Sequence, residues 1–170
     1  MFTCSQQSLA IRKGIGFENN VRYILKLSKY TVLDEKDIVS YYGSHCYGID
    51  HIIKTHDTIY FFQDKWTNSK ITLPQINHFS SAIKFIITQE HTFNKFIGIY
   101  ISKNELTSRS KNALSALTTN DIYFETISSE DEKYVIKLLI DFLYTKYIFL
   151  FEEDGSCFMN CDELVTEIMW

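Results

Sequence analysis

The sequence predicts an α/β protein: a central mixed β-sheet flanked by helices in three layers. Three observations predict it. Two runs rich in β-branched and aromatic residues, Ile49 to Thr55 and Thr58 to Trp66, are separated only by His56-Asp57 and read as an antiparallel hairpin. Phe96 to Ser102 (FIGIYIS) is nearly all apolar, the pattern of a strand covered on both faces. Helical spacing stands before, between and after the later strands, which makes that part of the sheet parallel.

The elements follow in order. Phe17 to Tyr30 (FENNVRYILKLSKY) puts Phe17, Val21, Ile24 and Leu25 on one stripe and Lys26 and Lys29 away from it, an amphipathic helix expected to be entered through Gly14 and Gly16. The hairpin comes next. Pro74 suits the first turn of a helix, and Ile76, Phe79, Ala82, Ile83 and Ile86 recur after it at helical spacing. After the Phe96 strand, Leu106 to Leu117 reads as a helix, Ile122 to Ile127 as a strand, and Glu130 to about Phe149 as a long last helix. The segment from Glu152 to Trp170 has no pattern that assigns it.

At 170 residues the chain has the size of one domain, and no Gly/Ser/Pro-rich or single-sign charged stretch marks a linker. The longest apolar stretch, around Ile136 to Phe151, is broken by Lys137, Asp141 and Lys146, too often for a membrane span. MFTCSQQSLAIRKG lacks the apolar core of a secretory signal, so the expectation is a soluble, intracellular protein with no membrane partner. Cys4 and Cys46 are isolated, and Cys157 and Cys161 lie four apart without a second ligand pair, so the cysteines read as buried or incidental thiols. A net charge of −4 speaks against nucleic-acid binding by bulk electrostatics and leaves room only for a local basic face.

With His56 and Asp57 at the hairpin tip, Thr55 faces Thr58 and Asp50 faces Gln63. Strand alternation then puts Lys65 on the face of Gln63 and Asp64 on the other. His-Asp is not a favoured two-residue tip, and a longer loop would shift this register by one residue. In the register as read, a carboxylate, an amide and an ammonium converge, opposed Cβ atoms being about 4.5 to 5.5 Å apart. That set suits metal-assisted phosphodiester hydrolysis. Asp50 and the Gln63 carbonyl supply the oxygen ligands that Mg²⁺ prefers, and Lys65 stands where developing phosphate charge needs a cation.

Each of these residues also has a plain structural reading. Asp50 is a turn carboxylate, Gln63 and Lys65 are the solvated end of an edge strand, and Glu18 is a carboxylate stabilised near a helix N-terminus. The three hairpin residues taken together favour a site, because polar groups on a buried face need partners and these supply each other's. Asp64 and His51 fall on the opposite face and read as structural. Trp66 reads as an aromatic closing the hairpin against the core. Lys103, Arg109 and Lys111 read as a solvated helix face, with contacts to a phosphate backbone as the alternative.

The order Gly14, Gly16, Phe17-Glu18, then Gly48-Ile49-Asp50, then Gln63-x-Lys65-Trp66 resembles the PD-(D/E)XK nuclease superfamily, and within it the Mrr-like restriction endonuclease branch, where the glutamate of E-x-K is often Gln. Gly98 to Leu114 (GIYISKNELTSRSKNAL) is similar to the strand and helix after the hairpin in that branch, with Ser102 as the small hydroxyl residue at the strand end. The resemblance spans roughly residues 14 to 128. It implies a restriction-endonuclease-like three-layer sandwich, a metal-dependent DNA endonuclease using Mg²⁺ or Mn²⁺, and Asp50, Gln63, Lys65 and Glu18 as its catalytic residues. Asp50, Gln63 and Glu18 are the implied metal ligands and DNA the implied partner; double-strand cutting by two paired sites would bring in a homodimer. The sequence departs from the pattern at Gly48-Ile49, where the superfamily has Pro before Asp, and at Asp64, an added carboxylate. The rival expectation is a catalytically silent domain of the same fold that binds nucleic acid or a protein partner, which the acidic net charge favours.

Overall fold

The computed structural model describes residues 4–119, 121–146, 148, 165, 166 and 168, with side chains from residue 14 onward. Cys157, Cys161 and most of the unassigned tail lie outside the described residues. The elements run α1 (Cys4–Lys26), β1 (Val32–Asp34), α2 (Glu35–Tyr42), a 3₁₀ turn (Ser44–Cys46), β2 (His51–Lys54), β3 (Thr58–Lys65), α3 (Leu73–Ile87), β4 (Lys95–Ser102), α4 (Ser108–Leu117), β5 (Ile122–Ser128) and α5 (Glu132–Thr145). Among the described residues no helix is long and apolar enough to cross a membrane.

The five strands lie in the sheet in chain order, β1-β2-β3-β4-β5. β1, β2 and β3 are mutually antiparallel, whereas β3, β4 and β5 are parallel, each parallel step crossing over through a helix. The hairpin register is the one expected from the sequence: His51 pairs with Phe62 and Lys54 with Ile59, which sets Asp50 opposite Gln63. Thr55 tightens the tip by accepting from Thr58 N at 3.2 Å through its hydroxyl and donating its own N–H to Thr58 O at 2.9 Å.

One face of the sheet, with Ile53, Tyr60, Phe62, Ile99, Ile101 and Ile127, packs against Phe17, Val21, Ile24 and Leu25 of α1 and the apolar stripe of α5. The other, with Ile52, Ile59, Phe61, Phe96 and Tyr100, packs against α2, α3 and α4. The result is a three-layer α/β sandwich around a mixed sheet. Helix starts follow local chemistry: Gln75 Oε1 accepts from Thr72 N at 2.8 Å before α3, Thr107 Oγ1 accepts from Ser110 N at 3.2 Å before α4, and Asp131 Oδ1 accepts from Lys133 N at 3.0 Å before α5.

Two parts of the architecture depart from expectation. α1 runs through Gly14 and Gly16 instead of starting at them, because the good helix formers on both sides outweigh two glycines at roughly 1 kcal/mol each. The short strand β1 and the helix α2 escape sequence reading: three residues are too few to show alternation, and the eight of α2 bury only Ile38 and Tyr42.

Candidate active site at the end of the central hairpin

Asp50 enters β2 from a glycine that the geometry requires. Gly48 sits at φ +95, and a Cβ there would meet His78 Cδ2 of α3 at 2.6 Å and Gln63 Oε1 at 3.4 Å. Gln63, Asp64 and Lys65 end β3, and Lys65 pairs with Ser102 at the end of β4, so the cluster lies at the carboxyl edge of the parallel strands. Open α/β sheets bind ligands at that edge.

Asp50 Oδ2 accepts two hydrogen bonds, a short one from Gln63 Nε2 and one from Asp64 N at 2.8 Å. Neither uses Oδ1. Asp50 N is itself held by Phe62 O at 2.8 Å, which locks the carboxylate to the register of the hairpin. Gln63 therefore pairs with Asp50 as expected, but it does so with its amide nitrogen, and its oxygen faces Gly48. A half-turn of the terminal amide would present the oxygen instead. Lys65 is half-buried, and its positive charge draws down the carboxyl pKa values of both Asp50 and Glu18.

The carboxylates strain against one another. Burial, and next the neighbouring Asp64 side chain, push the Asp50 carboxyl up to about 9. Burial would raise Asp64 as well, but contacts with His51 and Asp50 outweigh it and hold Asp64 below the usual carboxylate range. Asp50 thus keeps a proton at neutral pH while Asp64 stays ionised. Glu18 lies exposed on α1, with its carboxyl raised by partial desolvation and then by the charge of Asp64. Stacking of Phe17 on Trp66, with ring centroids 4.5 Å apart, ties this turn of α1 to the end of β3. Trp66 accordingly serves the core while it positions Glu18.

The expected residues do not all share one surface. Asp50, Gln63 and Lys65 belong to the face covered by α2 and α3. Asp64 and His51 belong to the face covered by α1, as alternation requires, and the acidic groups that raise the Glu18 carboxyl, after burial, are Asp64 and then Glu35, not Asp50. Lys111 is paired with Glu105 at 2.7 Å on the surface, and Lys103 donates to Asn68 Oδ1 at 2.6 Å, so both have local partners. Ser102 is buried at the strand end and donates to Asn104 O at 2.8 Å.

Three residues of the neighbourhood have no sequence signal. His78 covers Gly48 from α3, although it lies off that helix's apolar stripe. Tyr100 pairs with Gln63 on β4 and is buried; that burial, followed by the charges of Asp50 and Asp64, raises its hydroxyl pKa. Asp34, at the end of β1, reaches His51 across the sheet.

A divalent cation fits this donor set on one observation: both carboxylate oxygens of Asp64 are buried without a hydrogen-bond partner, and the Asp64 charge is felt by the Asp50 carboxyl. A buried carboxylate that accepts no hydrogen bond is an arrangement that proteins usually avoid. No family model matches the chain, and no curated protein matches it.

Proposed function

We propose that the protein is a metal-dependent nuclease that hydrolyses DNA phosphodiester bonds at the end of the β2–β3 hairpin. The observation that carries the reading is the convergence of Asp50, Gln63 and Lys65 at one strand end, in a register that brings the Asp50 carboxylate and the Gln63 amide into direct contact. Asp50, with the Gln63 oxygen after its half-turn, would hold Mg²⁺ or Mn²⁺, and Glu18 would support it from α1. When bound, such an ion supplies Lewis acidity toward the phosphate and lowers the pKa of a coordinated water. Asp50 gives up its proton to bind the cation, so the raised pKa makes ion binding and proton release one event. Lys65 stabilises the charge that grows on the phosphate oxygens. The buried wall of Tyr100 and Phe79 excludes water from behind Gln63.

The test is cleavage of supercoiled plasmid DNA by the purified protein with Mg²⁺, with Mn²⁺ and with EDTA. Nicking or linearisation is expected with either ion and none with EDTA. Lys65→Met, which keeps the aliphatic stem, should melt like the parent and cleave about 10²- to 10³-fold more slowly. Equal cleavage in EDTA, or an unchanged rate in Lys65→Met, would remove the reading. Metal-independent DNA binding with no cleavage under any condition would instead support the silent-domain alternative.

A further inference from the structure

An imidazole stands at the open side of the Asp50–Gln63 pair. Gln63 is 4 % exposed, whereas Asp50 and Gly48 are partly exposed and His78, in the second turn of α3, is exposed. A Cβ on Gly48 would stand 2.6 Å from Cδ2 and 3.0 Å from Nε2 of His78, and 3.4 Å from Gln63 Oε1. Nε2 and the amide oxygen therefore border the same small space, which exists because residue 48 has no side chain. Among the described residues neither ring nitrogen of His78 makes a hydrogen bond.

A phosphodiester bound beside Asp50 and Gln63 shares its negative charge between two non-bridging oxygens, and both accept hydrogen bonds. The chain has a net charge of −4, so no bulk field holds phosphate and local donors must do it. Lys65, two residues beyond Gln63 on the same face of β3, is one such donor. Lys103 and Lys111 already engage Asn68 and Glu105. His78 supplies another, because an imidazole donates from whichever nitrogen carries hydrogen, in the neutral ring as well as in the charged one. The plain alternative is a ring that merely covers Gly48, and such a cover needs no nitrogen.

We propose that His78 is a phosphate-contacting residue of this site, its Nε2–H donating to a non-bridging oxygen of the DNA phosphodiester that Asp50, Gln63 and Lys65 receive. The inference rests on the nuclease reading and adds to it a substrate contact from α3. Gly48 then has two parts: its backbone turns the chain toward Asp50, and its bare Cα lets the imidazole come down beside Gln63. Because the ring is exposed, the contact forms as DNA arrives and requires no opening of the core.

The test compares the full-length parent with His78→Leu, which removes both nitrogens, and His78→Gln, which keeps an N–H donor. In single-turnover plasmid cleavage with Mg²⁺, His78→Leu should be about 10- to 100-fold slower, the size expected for one hydrogen bond to a charged group. His78→Gln should recover most of that loss, and His91→Leu, in an exposed loop, should cleave as the parent does. A second measurement needs no cleavage: the assigned ¹⁵N resonances of the histidine rings of the parent, with a short DNA duplex in Ca²⁺. DNA should shift the His78 ring and leave the His91 ring in place. The proposal is overturned if His78→Leu cleaves within about twofold of an active parent, if His78→Gln is as slow as His78→Leu, or if DNA leaves the His78 ring unchanged. The ring measurement on the parent decides the matter even if a variant fails to fold. A parent that cleaves while its His78 ring stays unmoved would remove this contact and leave the nuclease reading standing. A parent that never cleaves, yet whose His78 ring shifts with DNA, would remove the nuclease reading and leave the phosphate contact.

Discussion

Gly48→Ala probes the backbone that delivers Asp50 to the site. At φ +95 an L side chain is strained by roughly 1 to 2 kcal/mol. The new methyl would also stand 2.6 Å from His78 Cδ2, closer than carbon atoms pack, so the His78 ring must move. Because His78 is exposed, the ring can rotate outward, and we expect this second part to add about 1 kcal/mol, the size of an off-rotamer side chain. The total of about 2 to 3 kcal/mol corresponds to a loss of roughly 4 to 12 °C in Tm for a chain of this size. The assay is a double-mutant cycle by thermal circular dichroism on the parent, Gly48→Ala, His78→Ala and the double variant. Removing the ring should recover the steric part and leave the backbone part, so Gly48→Ala should cost less in the His78→Ala background. An unchanged Tm in Gly48→Ala, or an equal cost in both backgrounds, would refute the reasoning.

Other expectations follow from the same coordinates. With its carboxyl raised from 3.8 to about 9, Asp50 binds a proton more tightly in the folded protein than in the unfolded chain. Its contribution is therefore complete below about pH 4 and is lost as pH rises through about 9. Denaturant midpoints taken in EDTA should fall across that window, and saturating Mg²⁺ should flatten the fall. Gly98→Ala would place a Cβ 2.8 Å from both Ile83 Cδ1 and the Phe124 ring, so overpacking should cost about 1 to 3 kcal/mol by urea denaturation. Glu90 Oε1 accepts from both Tyr42 Oη and Lys54 Nζ, and Glu90→Ala should cost about 1 to 3 kcal/mol, with Glu90→Gln costing less because it keeps the acceptor.

The sheet was largely legible because its signals are local. The His56-Asp57 tip fixed the register, and the register fixed which residues face Asp50. Pro74, the FIGIYIS run and the 3.6-residue stripes placed α3, β4 and α5 for the same reason. What escaped depends on contacts distant in sequence. Nothing around Asp34 marks it as the partner of His51, and nothing in α3 marks His78 as the residue resting on Gly48. Strand alternation puts Asp64 and His51 on the opposite face, yet alternation cannot reveal that the Asp64 oxygens accept no hydrogen bond, which appears only once α1 has closed over them. α1 itself was shortened in the sequence reading because glycine is a general helix breaker, whereas two isolated glycines cost less than the surrounding helix gains.

Because each strand pairs with its predecessor, the sheet can be assembled in the direction of synthesis. The hairpin closes across only Thr55 to Asp57, so the entropy lost in joining Asp50 to Gln63 is among the smallest that the fold incurs. Once residue 65 has left the ribosome, the carboxylate, amide and amine can already be in register, whereas β4 and β5 wait for two crossover helices. Short-range pairing of this kind forms early and fast compared with long-range parallel pairing. Substitutions within the hairpin should consequently slow folding, while those in α4 or β5 should mainly speed unfolding.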